Sequence, residues 1–130
     1  MNLLRRLAER ERKNKQERLD RVFAGREPLD DTQLWERYFR QYDVAPATVA
    51  RIRQTFSEIL GVGFSRIRDT DDFSKELAFF WDFDSLADVE LIEALEKQFG
   101  IAITDAEAEA MKTLRDIVLT VHGKLSNTSR

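Results

Sequence analysis

Apolar residues recur at three- and four-residue spacings along almost the whole chain, and no stretch alternates with period two. That periodicity predicts an all-α protein. Residues 3–22 read as a helix whose apolar stripe, Leu3, Leu4 and Leu7, stops early. Residues 9–18 carry no large apolar side chain, so acid–base pairs at i,i+4 would support this helix rather than a core. Gly25 and Pro28 then break the chain. Residues 1–30 thus read as a basic, charged extension forming a solvated helix, with little to bury across 1–28.

A second amphipathic helix is predicted from Asp31 to Tyr42, with Leu34, Trp35, Tyr38, Phe39 and Tyr42 on one face and Asp30 or Asp31 as its cap. Residues 31–45 form this additional element. Pro46 suits the first turn of a third helix presenting Val49, Ile52, Phe56, Ile59 and Leu60, with Gly61 as its stop. A long connection follows over 61–83, carrying Asp69, Asp71, Asp72 and the aromatic cluster Phe79, Phe80, Trp81 and Phe83. A middle helix runs from Ser85 to Phe99, with Gly100 after it. Thr104-x-x-Glu107 has the spacing of a capping box and opens a short helix through Met111. Thr113 caps a last helix with Leu114, Ile117, Val118 and Val121 inward and Gly123 as its stop. Residues 46–125 are therefore expected to be the main domain, and 126–130 a frayed tail.

The composition narrows the chemistry. The chain has no Cys and a single His, His122, which leaves no thiolate metal site, cysteine nucleophile or Ser/His hydrolase within reach. No metal site and no catalytic residues are assigned. No long apolar run predicts a membrane span, and the absence of a signal peptide points to the cytoplasm. Charge is uneven: residues 1–40 hold eleven Lys/Arg against eight Asp/Glu, a net +3, and residues 41–130 hold ten against sixteen, a net −6. An acidic body argues against nucleic-acid binding, and the basic head beside it suggests a second surface with its own partner.

The sequence Phe83-Asp84-Ser85-Leu86-Ala87-Asp88-Val89-Glu90-Leu91-Ile92-Glu93-Ala94-Leu95-Glu96-Lys97-Gln98-Phe99 resembles the acyl carrier protein family, with its D-S-L signature and acidic V-E-L helix ending in Phe. Ile101-Ala102-Ile103-Thr104-Asp105, Ala108-Glu109 and Thr113 continue the likeness, and Ile59-Leu60-Gly61-Val62 and Asp72-Phe73 extend it upstream. The resemblance spans about residues 46–124. It implies a four-helix acyl-carrier-like bundle with additional N-terminal helices, a carrier that is a substrate of other enzymes and not itself an enzyme. Ser85 would take a covalent 4'-phosphopantetheine arm from a separate phosphopantetheinyl transferase, with Asp84 and Leu86 as the flanking residues that enzyme reads. Acyl intermediates of a fatty-acid, polyketide or specialised lipid pathway would then ride on the arm as thioesters.

The position suits an anionic phosphodiester, because helix N-termini favour anions through free N–H groups and the dipole. The thiol would come from the cofactor. A plainer reading stands beside it: Ser85-x-x-Asp88 has capping-box spacing, so Ser85 or Asp84 could simply cap the helix. Leu86, Val89, Glu90 and Glu93 share one helical face, an apolar strip flanked by carboxylates that fits basic patches on acyl-transferring or condensing enzymes. An ordinary solvated face would look the same. Ala87 and Lys97 stand where the family often has acids, the connection before Ser85 is long and aromatic, and residues 1–45 have no counterpart in the family. These departures favour a specialised pathway. The aromatic cluster either fills the core or shapes an acyl pocket. The rival function is an all-α interaction or regulatory module that is never modified. The chain is expected to be a monomer.

Overall fold

The computed structural model describes residues 2–128. Among them lie α1 (Leu3–Val22), α2 (Asp31–Tyr38), a 3-10 turn at Arg40–Tyr42, α3 (Pro46–Leu60), α4 (Phe80–Phe83), α5 (Ala87–Phe99), α6 (Asp105–Ala110) and α7 (Leu114–Thr128). The chain is all-α, as its periodicity predicts. No helix among the described residues is long and apolar enough to cross a membrane.

Helix ends follow the local chemistry. Asp30 caps α2 in a complete capping box with Gln33, and Thr104 does the same for α6 with Glu107. Thr113 Oγ1 accepts the Asp116 N–H while Asp116 Oδ2 accepts the Thr113 N–H, which starts α7. Gly61 and Gly100 take the left-handed conformation just past α3 and α5, where a residue without a Cβ is unstrained.

Three expectations need correcting. The helix from Asp31 stops at Tyr38, because Phe39 leaves the helical region (φ −120°) and the next turn tightens to i→i−3 bonding, ending in left-handed Asp43. Phe39 is thereby buried, and Tyr42 falls on the exposed side. Gly123 does not stop α7: the helix continues through Thr128, with Leu125 packed against the core, so 126–128 are helical rather than frayed. Residues 129–130 of the expected tail lie outside the described residues.

The third correction concerns the extension. The first part of α1 is solvated as expected, from Leu3 to Arg10. Its last turns are not. Leu19, Phe23 and Leu29 are all buried. Polar contacts add to this. Arg26 grips Asp71 through both guanidinium nitrogens, at 2.6 and 2.9 Å. The Gly63 N–H donates to Gln16 Oε1, Arg66 pairs with Asp20, and the Leu29 N–H donates to the Ser65 carbonyl. Residues 16–31 are therefore stitched onto the connection after α3.

α3 and α5 make the most extensive packing in the molecule. Arg51, early in α3, lies 5.3 Å from the centre of the Phe99 ring at the end of α5, and Thr55 Oγ1 donates to Gln98. The two helices thus run antiparallel, with the end of α3 and the start of α5 at one end of the bundle. α7 closes the core with Leu114, Ile117, Val118 and Val121, all buried. The connection between α3 and α4 is fixed to the start of α7: Phe73 N–H donates to the Lys112 carbonyl, Leu114 N–H to Asp71 and Arg115 N–H to Asp69. Asp69 and Asp71 are buried but answered by Arg115 and Arg26. Among the described residues no buried side-chain nitrogen or oxygen lacks a partner.

Candidate functional site at Ser85

Ser85 sits in the turn between α4 and α5 and is exposed, as are Asp84 and Leu86. The turn exists because the short α4 ends at Asp84, whose backbone is extended, and the chain re-enters a helix only at Ala87. The helix therefore begins two residues later than the sequence suggests. The Asp84 carboxylate accepts the Leu86 N–H at 2.9 Å, and the Asp84 carbonyl accepts the Ala87 N–H. Leu86 occupies the cap position of α5 without any side-chain cap bond, and Asp88 accepts the Val89 N–H rather than closing a box with Ser85. Asp84 organises the turn, and the Ser85 hydroxyl is left out of the helix start.

The segment before the turn is held rigidly. Phe79 and Phe80 are buried and lie 4.3 Å apart, and Phe80 meets Phe64 at 5.8 Å. Arg18 of α1 lies over the Phe79 ring at 4.7 Å. Trp81 donates its indole N–H to the Phe73 carbonyl at 2.9 Å. Most of the aromatic cluster is thus core, but Trp81 also faces a groove.

That groove, of about 440 Å³, runs between α5 and the α6–α7 region. Phe56, Phe73, Trp81, Ile92, Ile103 and Met111 give it an apolar floor, and Asp88, Glu93, Glu96, Asp105 and Glu109 rim it. Asp88 and Val89 border it one helical turn after Ser85. The sequence does not reveal this groove. Its lining comes from the connection and from five helices, α3 to α7, and Phe56, Ile103 and Met111 read as ordinary core or loop residues. Glu96 is fixed there by accepting the Ile103 N–H at 2.9 Å.

The expected docking face stands together in space. Leu86 and Val89 are 64% and 50% exposed, and Glu90 and Glu93 beside them are exposed too. Two exposed aliphatic side chains between carboxylates form a small apolar strip with an acidic rim, next to the Ser85 turn. His122 is half-buried in α7, and no metal-ligating cluster of His, Asp or Glu is found among the described residues.

The family model described as the phosphopantetheine attachment site matches residues 50–121. The acyl carrier protein of Thermosynechococcus vestitus is 33% identical over 76 residues, covering 58% of this chain and 89% of that protein. The crystal structure of an acyl carrier protein from Thermotoga maritima superposes with a TM-score of 0.52 at 22% identity, over 63% of this chain and 91% of that one, which is a likeness of fold.

Proposed function

The chain belongs to the acyl carrier protein family, and from that premise we propose that Ser85 is the serine that takes the 4'-phosphopantetheine arm. The observation that carries this reading is the state of the Ser85 turn. Its hydroxyl is exposed and is not the helix cap, so esterification costs the fold no hydrogen bond. The residues fit the group. The thirteen-residue α5 aims its positive end at this turn, which favours a phosphodiester. Asp84 and Asp88 would oppose the anion, but both carboxylates are engaged with backbone N–H groups. When bound, the cofactor supplies the thiol that the chain lacks.

Family membership entails a phosphopantetheinyl transferase and acyl-handling enzymes as partners. Asp84 and Leu86, exposed on either side of Ser85, are assigned to recognition by the transferase. Leu86, Val89, Glu90 and Glu93 are assigned to docking of acyl-transferring or condensing enzymes with basic patches. The groove beginning one turn from Ser85 supports carriage of an apolar chain, sheltered between α5 and α6. The pathway is assigned to fatty-acid, polyketide or specialised lipid synthesis, and the structured N-terminal elements outside residues 50–121 favour the last.

Incubation with coenzyme A and a broad-range phosphopantetheinyl transferase should add a single arm, seen by intact-mass measurement and absent in Ser85→Ala. An unmodified wild type across several transferases would leave the alternative, an unmodified interaction module.

A further inference from the structure

Among the described residues, the most exposed large apolar side chains outside the α5 face are Leu3, Leu4 and Leu7, at 70%, 77% and 48% exposure. They lie in the first two turns of α1, which nothing in the fold covers. At 3.6 residues per turn the three leucines share one side of the helix. Arg6 and Arg10 flank them on one side, Arg5 and Arg12 lie toward the opposite face, and Glu11 follows Leu7 one turn on. Residues 2–15 hold six Lys/Arg against two Asp/Glu, a net +4, although the body from residue 41 onward is acidic. We propose that this half of α1 is an interfacial anchor that docks the carrier on an anionic lipid bilayer.

Several observations favour a bilayer over a protein as the occupant. The segment from Leu3 to Val22 contains no Trp, Tyr or Phe. Protein interfaces rely on such rigid aromatic anchors in fitted pockets, whereas a bilayer asks only for apolar area and positive charge. Arginine stems bend their heads toward phosphates from the flank of an inserted helix. The leucine patch is too short to span and suits an interfacial depth. The charge is complementary to anionic headgroups.

The second half of α1 gives the anchor a fixed relation to the site. Gln16 bonds the Gly63 N–H, Arg18 covers Phe79, and Leu19 is buried. Leu7 lies about 16 Å along the axis from Arg18, at 1.5 Å per residue. Docking by Leu3, Leu4 and Leu7 would hold the end of the bundle bearing Ser85 close to the lipid.

The test uses the full chain without any arm, so it is independent of the role given to Ser85. Sedimentation with phosphatidylglycerol-rich vesicles at low salt should carry down the wild type, and Ser85→Ala equally. Pure phosphatidylcholine vesicles should not, and 1 M salt, which screens charges beyond about 3 Å, should release the protein. Leu3→Glu with Leu7→Glu should lower partitioning about ten-fold or more. The melting temperature should not change, because both side chains are exposed. Three results would overturn the proposal: wild type that stays in the supernatant, a double variant that binds vesicles as well as wild type, or capture by polyglutamate beads without vesicle binding. Concentration-dependent self-association lost in the double variant, without vesicle binding, would instead identify a second copy as the occupant.

Discussion

α1 and α5 are both long helices with a charged face toward water, yet they are held in different ways. α5 buries a residue on nearly every turn: Ala87, Leu91 and Leu95. Its exposed strip is left over after the core is satisfied. α1 buries only Leu19 within its span, and Phe23 just beyond it. Its last turns are secured by these two and by the Arg26–Asp71 pair, while its first turns stand free. A helix inside the matched family region is thus anchored along its length, and the one outside it is anchored at one end. Anchorage at one end makes the same helix both part of the fold and available to something else.

Substituting the anchor should break this contrast most sharply. Phe23→Ala should destabilise the protein by about 3–5 kcal/mol, the range for truncating a buried aromatic. Leu95→Ala in α5 should cost a comparable 2–5 kcal/mol, roughly. Urea titration of the two variants is the check. A cost below about 1 kcal/mol for Phe23→Ala would mean that α1 is detachable after all, since such a loss is ordinary for surface sites. Deletion through residue 30, which composition suggests is harmless, should be at least as damaging.

Arg26→Ala comes next. It leaves the Asp71 carboxylate buried with only the Arg68 N–H as partner, a situation worth about 3 kcal/mol. Arg26 is held above its ordinary pKa by its hydrogen bond to Asp71, so its charge persists at any working pH. Asp71→Asn with Arg26→Ala should recover part of the loss, since the unpaired charge is gone.

On α5 the expected effect is kinetic. Glu90→Lys with Glu93→Lys should leave stability within about 0.5 kcal/mol, as surface changes usually do. Loading and transfer by basic partners should slow by about ten-fold or more at low salt, and less at high salt. Equal rates at low salt would remove the docking role from this face.

The smallest effect should come from Glu107, which ties α6 to α7. The Lys124 ammonium at 2.7 Å, then the Thr104 N–H, hold its carboxyl down from 4.5 to about 2. A carboxyl depressed in the folded state stabilises above its unfolded pKa. That stabilisation is full above pH 4.5 and is lost as pH falls toward 2. Asp72, lowered by its bond from Ser74, acts in the same direction. Glu107→Gln keeps the capping box but drops the charge. The stability gap between wild type and variant should therefore narrow as pH falls from about 5 to about 2. A constant gap would show that the ion pair contributes nothing.

Helix α3 was legible nearly to the residue, from Pro46 at its start to Gly61 at its end, because both stop signals act locally through backbone geometry. The α6 capping box was legible for the same reason. Leu19, Phe23 and Leu29 carried a signal that the charge of residues 9–18 obscured: an i,i+4 apolar pair at the end of α1 and a further apolar residue after the break.

By itself, then, the sequence determined the helical periods, most of the caps and the register of Asp84-Ser85-Leu86 with the elements around it, since each depends on residues a few positions apart. Tertiary structure decided that no side chain caps α5: α4 ends at Asp84, whose carboxylate accepts the Leu86 N–H within the turn instead. It decided the groove beside α5, whose walls come from residues 56 to 117. It also decided that the basic extension is half integral and half free. That outcome turns on Arg26 meeting Asp71 and on Phe23 reaching the core, contacts between segments that only packing brings together.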